Sequence, residues 1–348
     1  MNVPLFLYPF LTALVLALCI TPFVIKLAYK YKLMDDPRTH KHPAIVHKKP
    51  IPRAGGLAIF LSILGAVLYF IPLNPQLIII LLTGFGVTLV GLLDDKYDLS
   101  PYLRFGTNIL FVGIVALAGV TIPYVTNPLG GILHFTVPNL SGFFIPQLLS
   151  IIWIVWVMNM LNWSKGVDGQ MPGIAAISVV VIGLASLRFD TLDSANITIS
   201  QISFIVAGAS IGFLVYNFYP AKIFPGYSAT ILGFFIGILS ILSGVKLATA
   251  ILVMGIPTVD ALFTVLRRIL SKRSPFWHDK GHLHHVLLEL GMGHRSIAVF
   301  YWAMSCILGL IALNLSSKGK LFAIILLLVL VGGTIVTLKY LVKKGRET

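Results

Sequence analysis

The stretch P-L-F-L-Y-P-F-L-T-A-L-V-L-A-L-C-I-T-P-F-V-I-K-L-A, from Pro4 to Ala28, is long enough to cross a hydrocarbon core, which takes about 20 apolar residues in a helix. Its N-terminal flank is weakly basic and no small-residue cleavage site leading into a soluble domain follows, so the run is expected to remain as a helix. Ten further apolar runs succeed it, near residues 54–71, 77–93, 105–122, 146–162, 170–187, 201–217, 229–243, 246–265, 297–314 and 320–342, separated by Pro, Gly or charged breaks. Any single run could be a core helix of a soluble protein. Eleven of them in a chain that is 57% apolar and 11% charged leave too little polar sequence to coat such a core. The pattern predicts an all-α polytopic membrane protein of about eleven transmembrane helices. Without long linkers, low-complexity tracts or a fixed-period repeat, residues 1–348 read as a single integral membrane domain.

Eleven crossings put the chain ends on opposite sides, and the cations decide which is which. With the C-terminus inside, 22 of the 26 lysines and arginines fall in cytoplasmic segments, and Arg188, Lys246, Lys318 and Lys320 fall outside. That bias places the N-terminus outside, the C-terminus in the cytoplasm, and the protein in the cytoplasmic membrane. The formal charge of +14 is spread along one membrane face with no nucleic-acid module, so its partners are anionic headgroups and phosphorylated substrates, not nucleic acid. Cys19 and Cys306 lie inside apolar runs, without pairing or metal-ligand spacing.

The chemistry gathers on the cytoplasmic side. From Asp35 to Gly56 the sequence reads D-D-P-R-T-H-K-H-P-A-I-V-H-K-K-P-I-P-R-A-G-G. A glycine pair opening a helix lets backbone N–H groups approach phosphate, with His47, Lys48, Lys49 and Arg53 adding charge; a headgroup anchor accounts for the lysines equally well. The third run ends in G-L-L-D-D-K-Y-D-L-S-P, placing Asp94 and Asp95 side by side at a helix edge. Two such acids beside a phosphate site suit Mg²⁺ binding or general-base work, while a solvated helix stop is the plain alternative.

In N-M-L-N-W-S-K-G-V-D-G-Q, Asn159 and Asn162 share a helical face, and Gly166 and Gly169 permit a turn that presents Asp168. Asn217 to Thr230, N-F-Y-P-A-K-I-F-P-G-Y-S-A-T, brings Lys222 and a Pro-Gly turn ahead of another helix. In G-I-P-T-V-D an acid, Asp260, stands inside an apolar helix interrupted by Pro257, with Arg267 or Arg268 a plausible structural partner. Last comes D-K-G-H-L-H-H, from Asp279 to His285. His282 and His285 could share a helical face with His284 pointing elsewhere, an arrangement better suited to phosphate or sugar than to a closed zinc site.

Taken in order, H-K-K-P-I-P-R-A-G-G, G-L-L-D-D-K-Y-D-L-S-P, N-M-L-N-W-S-K-G-V-D-G, P-A-K-I-F-P-G, G-I-P-T-V-D and S-P-F-W-H-D-K-G-H-L-H-H resemble the polyprenyl-phosphate N-acetylhexosamine-1-phosphate transferases, in the eleven-span branch that starts wall-polymer and surface-polysaccharide synthesis. The resemblance implies transfer of a sugar 1-phosphate from a UDP-N-acetylhexosamine to undecaprenyl phosphate with release of UMP, Mg²⁺ as cofactor, and a possible homodimer. It implies catalytic or metal roles for Asp94 and Asp95, with Asp168 as a further metal candidate. Asn159, Asn162 and Asp168 would line the nucleotide-sugar site. His47, Arg53, Lys165, Lys222, His282, His284 and His285 would contact substrate phosphates or sugar.

Two positions depart from that pattern. Where the family has Gly-Asp-Ser-Gly, its aspartate a Mg²⁺ ligand, this chain has Gly226-Tyr227-Ser228-Ala229, and Lys165 stands where the family has a second aspartate. Relative to the family these changes add about +3 of local charge, which disfavours a divalent cation and favours anions. The expectation is a transferase with reduced or altered Mg²⁺ dependence in which Lys165 neutralises leaving-group charge. Its rivals are a catalytically impaired relative that binds lipid phosphate or nucleotide sugar as scaffold or regulator, and, ranked last, a transporter.

Overall fold

The computed structural model describes residues 3–38, 49–127, 130–135, 144–188, 193–244, 247–277 and 281–347. Among them run α1 (Pro4–Tyr31), α2 (Gly55–Phe70), α3 (Pro75–Tyr97), α4 (Pro101–Leu117), α5 (Phe144–Trp163), α6 (Gln170–Ser186) and α7 (Ser194–Asn217). Then come α8 (Thr230–Leu242), α9 (Leu247–Val253), α10 (Gly255–Leu270), α11 (Leu283–Glu289), α12 (His294–Asn314) and α13 (Ser317–Glu347). Two antiparallel ribbons complete the described chain: β1 (Met34–Asp35) with β2 (Ile51–Pro52), and β3 (Tyr124–Thr126) with β4 (Ile132–His134).

Each predicted apolar run contains helix, but the runs differ in reach. Six helices, α1, α3, α5, α7, α12 and α13, are long and apolar enough to cross a membrane, and α9 with α10 makes a seventh candidate if that pair is one broken span. The run over 246–265 is therefore not one straight helix: it bends by 87° at Met254, just before Gly255 and Pro257. Proline contributes no backbone N–H and suits the first turn of a new helix, not the continuation of an old one. The remaining apolar helices, α2, α4, α6 and α8, are shorter.

Helix starts follow local chemistry. Pro75 and Pro101 open α3 and α4, while Asn74 accepts from Leu77 N at 2.8 Å and Ser100 from Leu103 N at 3.2 Å. Such caps satisfy N–H groups that the first helical turn leaves unpaired.

The centre of the bundle is α8, buried continuously from Thr230 to Ser240 and packed against α5, α6, α3 and α7. Around it, α1 lies along α7, α6 against α7 and α12, and α10 against α13. Gly208 and Gly212 let α7 approach α1 closely, since a Cβ at either would run into the carbonyl oxygens of Phe10 and Leu14. Small residues at this spacing are a common way for membrane helices to gain van der Waals contact. Large apolar side chains such as Phe23, Leu82, Leu117 and Phe322 face outward. Outward grease on long apolar helices is the surface of a protein embedded in a bilayer.

Candidate active site

Five stretches of the sequence converge at one end of the bundle. Asp94 and Asp95 occupy the last turn of α3, and the structure explains how adjacent acids coexist there: each has its own arginine. Arg104, in the first turn of α4, donates from Nη1 to both Asp94 oxygens at 3.1 Å. Arg53, between β2 and α2, places Nε 3.6 Å from Asp95 Oδ1.

Asp95 also anchors the turn that precedes α8. It accepts from Tyr227 N at 2.6 Å, Ser228 N at 3.3 Å and Ser228 Oγ at 2.9 Å. Gly226 makes this possible, with φ of 70° and with Asp95 occupying the space that a Cβ would need. The same turn is joined to the loop before α2. Phe224 N donates to Pro52 O at 2.8 Å, Gly55 N to Phe224 O at 3.1 Å and Gly56 N to Pro225 O at 3.1 Å, with Arg53 and Phe224 forming a parallel bridge.

A third cation closes the group. Lys165, in the turn after α5, donates from Nζ to Gly226 O at 3.1 Å. Both it and Arg104 lie against the buried ring of Tyr227, its centroid 5.8 Å from the ammonium and 4.9 Å from the guanidinium carbon, while Asn108 donates to the phenol oxygen at 3.0 Å. Both cations lie within cation–π range. Burial, then Arg53, push the Lys165 ammonium down to about 8, against the pull of Asp95 and Asp94. Burial lifts the Tyr227 phenol to about 12, with Arg104 and Asn108 acting the other way. For Arg53 burial acts downward, yet the surrounding carboxylates, Asp95 foremost, raise the guanidinium above its ordinary value. All three groups are therefore cationic or neutral at neutral pH, as their chemistry requires.

Behind Lys165 the turn is built from side-chain bonds. Asp168 accepts from Ala221 N at 3.0 Å, Asn217 accepts from Gly169 N at 3.0 Å and donates to Ile223 O at 2.9 Å, and Trp302 Nε1 donates to Gly169 O at 3.2 Å. Asn159 donates back to Val155 O at 2.8 Å within its own helix. Asn162 Oδ1 is buried without a hydrogen-bond partner among the described residues, an acceptor open to a ligand. Lys222 stands apart: its side chain is exposed and its ammonium lies 6.0 Å from the Tyr216 ring. His47 and Asp279 lie outside the described residues.

The histidines form a buried row. His282 Nδ1 lies 2.9 Å from Asp260 Oδ2, and Leu283 N donates to Asp260 Oδ1 at 2.8 Å, so both oxygens of the intrahelical acid are engaged by the histidine segment. Arg268 Nη1 donates to Pro275 O at 2.6 Å. His284 stacks on His282 at 5.5 Å with nearly parallel rings and meets His285 at 4.3 Å. The expected face shared by His282 and His285, with His284 turned away, does not form, because His282 is the extended residue that precedes α11 and helical spacing does not start until Leu283. The His284 ring occupies the place of a Cβ on Gly166, which ties this row to the Lys165 turn. Burial, then His285 and His282, hold the His284 imidazole well below its usual value, so it is neutral.

As arranged, these carboxylates do not fit a divalent cation. Asp94 is spanned by Arg104, Asp95 is filled by the 226–228 turn and Arg53, and Asp168 carries the Ala221 amide. Among the described residues, no three His, Cys, Asp or Glu side chains group into a metal site. Hard cations such as Mg²⁺ need several oxygens directed at one point.

The sequence reading missed Arg104, Asn108, and Asp260 as the histidine partner. A signal existed for the first two: Arg104 and Asn108 are four apart at the start of an otherwise apolar helix, hence on one face.

Residues 77–244 match the family described as Glycosyl transferase family 4. The chain is 32% identical over 334 residues to a probable undecaprenyl-phosphate N-acetylglucosaminyl 1-phosphate transferase of Bacillus subtilis (strain 168), covering 92% of this chain and 88% of the relative. It is 28% identical over 371 residues to a decaprenyl-phosphate N-acetylglucosaminephosphotransferase of Mycolicibacterium smegmatis, covering 97% and 89%. Similarity to an undecaprenyl-phosphate alpha-N-acetylglucosaminyl 1-phosphate transferase of Thermotoga maritima is 30% over 262 residues, 74% of each chain.

Proposed function

The chain belongs to glycosyl transferase family 4, and from that premise we propose that it transfers N-acetylglucosamine 1-phosphate from UDP-N-acetylglucosamine to undecaprenyl phosphate. An oxygen of the lipid phosphate attacks the phosphorus that carries the sugar. The bond from that phosphorus to the bridging oxygen breaks, and UMP leaves with the oxygen and its electron pair. The product is a lipid-linked sugar diphosphate, the first intermediate of a wall polymer or surface glycan. The reaction takes place on the cytoplasmic face of the cell membrane, in a single domain that crosses the bilayer eleven times with its N-terminus outside.

One observation carries this reading: Arg53, Arg104 and Lys165 converge on Asp94, Asp95 and the turn at 226–228, a charged cluster able to receive phosphates. Asp94 and Asp95 are positioning residues here, each holding an arginine, and Asp95 also fixes the turn. The acceptor at Asn162 and the neutral His284 suit hydrogen bonds to sugar hydroxyl, amide or phosphate groups.

Purified full-length protein supplied with undecaprenyl phosphate and UDP-N-acetylglucosamine should release UMP and form lipid-linked product in equal amounts. Asp95→Asn should lower turnover by about 100-fold or more, because an amide cannot accept from Tyr227 N, Ser228 N and Ser228 Oγ together and no longer pairs Arg53. Absence of product with this or any other UDP-N-acetylhexosamine would overturn the proposal.

A further inference from the structure

Each carboxylate of the cluster is paired, yet the cations are not exhausted. Arg104 reaches Asp94 with Nη1 alone, Arg53 reaches Asp95 with Nε, and Lys165 gives one ammonium proton to Gly226 O. Among the described residues the remaining side-chain nitrogens, Nη1 and Nη2 of Arg53 and Nε and Nη2 of Arg104, make no hydrogen bond, and two protons of the Lys165 ammonium are unused. The three cations pair with two carboxylates, while Asp35 and Asp98 act on Arg53 without pairing it. Tyr227 adds bulk but no charge, because its phenol is neutral and held by Asn108.

Like charges do not gather in a half-buried place without a counter-charge to justify them. Unused N–H donors on three adjacent cations suit phosphate oxygens, which accept several charge-assisted hydrogen bonds at once. The neighbouring carboxylate oxygens are directed at backbone amides and arginines, not at a common point that a divalent ion could occupy.

We propose that Arg53, Arg104 and Lys165, assembled around Tyr227, form a metal-independent cradle for the diphosphate of the nucleotide-sugar donor. This rests on the transferase reading and deepens it, by assigning the neutralisation of the diphosphate to fixed side-chain cations. Lys165 and Arg104 both lie against the Tyr227 ring, which holds them in one cluster. A point charge on a lysine and a planar fork on an arginine then serve different phosphates of the pair. In transfer, these donors hold the oxygens on which charge grows as the bridging bond breaks, with no change in their own protonation.

The test is equilibrium binding of UDP and of UMP to the full-length protein in lipid nanodiscs, in excess EDTA and in millimolar Mg²⁺. UDP should bind at least tenfold more tightly than UMP, and its affinity should differ less than about twofold between EDTA and Mg²⁺. In EDTA, Lys165→Ala should weaken UDP by about tenfold and bring it towards UMP, whereas Lys165→Arg should keep most of the preference, as expected for one charge-assisted contact to phosphate. Three results would overturn the proposal: UDP binding that vanishes in EDTA, equal affinity for UDP and UMP, or an unchanged preference in Lys165→Ala. The wild-type comparison needs no variant to fold. Displacement of a bound short-chain prenyl phosphate, with UDP and UMP equivalent, would assign the cations to the lipid substrate and also overturn it. If lipid-linked product forms in Mg²⁺ but UDP binding fails in EDTA, the transferase reading stands and the metal-independent cradle falls.

Discussion

Tyr227 and Lys165 decide the character of the site at the scale of single residues. The phenol lies against two cations, and burial brings the ammonium down to about 8, close to physiological pH. Lys165 faces Arg53 and Arg104 as like charges and Asp94 and Asp95 as opposite ones, and Tyr227 stays neutral until about pH 12. Anion binding needs the protonated amine, so UDP affinity should fall by about tenfold from pH 7 to pH 9, as Lys165 loses its proton near pH 8. Lys165→Arg should give a flat profile over that range, since a guanidinium does not titrate there. A wild-type profile that is flat from pH 7 to pH 9 would contradict this. For folding the sign is reversed: the group titrates at 10.5 when free and near 8 here, so between those values the unfolded chain holds more protons and stability from this group rises with pH. The sequence exposed both residues because they break an ordered set of motifs. It could not expose Arg104 as the partner of Asp94, because that pairing depends on how α4 turns back on α3.

At the scale of elements, local rules succeeded where one element acts alone and failed where two meet. At the starts of α3 and α4, Pro75 and Pro101 with the Asn74 and Ser100 caps act within a single turn. The histidine segment was read with helical spacing, but Asp260 of α10 captures His282 and Leu283 N just before α11 begins, so His282 sits outside the helix. Asp260→Ala should therefore release the start of α11. Deuterium exchange at the amides of Leu283 to Val286 should accelerate by at least tenfold while α8 stays protected, a loss in the range of two hydrogen bonds to a charged acceptor. Uniform acceleration through α8 would instead mean that Asp260 supports the bundle as a whole. The sequence marks an interruption at Pro257 but not the 87° bend between α9 and α10, because hydropathy averages over a break of one residue.

For the whole molecule, composition already pointed to a bilayer, and the cation bias pointed to one working face. Arg53, Arg104 and Lys165 gather at one end of the bundle, whereas Lys320 bonds Thr249 and Arg188 bonds Leu313 O, contacts between the elements that the charge bias assigns to the other side. If eleven crossings hold, Lys318→Cys should react with a membrane-impermeant maleimide on intact cells, and Lys49→Cys only after permeabilisation, both in a chain whose Cys19 and Cys306 are replaced by serine. The reverse pattern would invert the topology and move the site to the outer face. Which loops touch at that end was beyond hydropathy, since charge bias assigns a side and says nothing about neighbours.

The bridge between Arg53 and Phe224 has a consequence for how the site works. With Gly55, Gly56 and Asp95 it joins the loop before α2 and the turn before α8 into one body, seated on the most buried helix of the bundle. From Pro52 to Gly56 and from Phe224 to Ser228 the two segments are bonded to each other and to Asp95. A phosphate arriving there meets donors whose ordering entropy was given up once, at folding, and is not given up again at each turnover. The Lys165 turn closes on that same body through Gly226 O and meets the histidine row through Gly166 and His284.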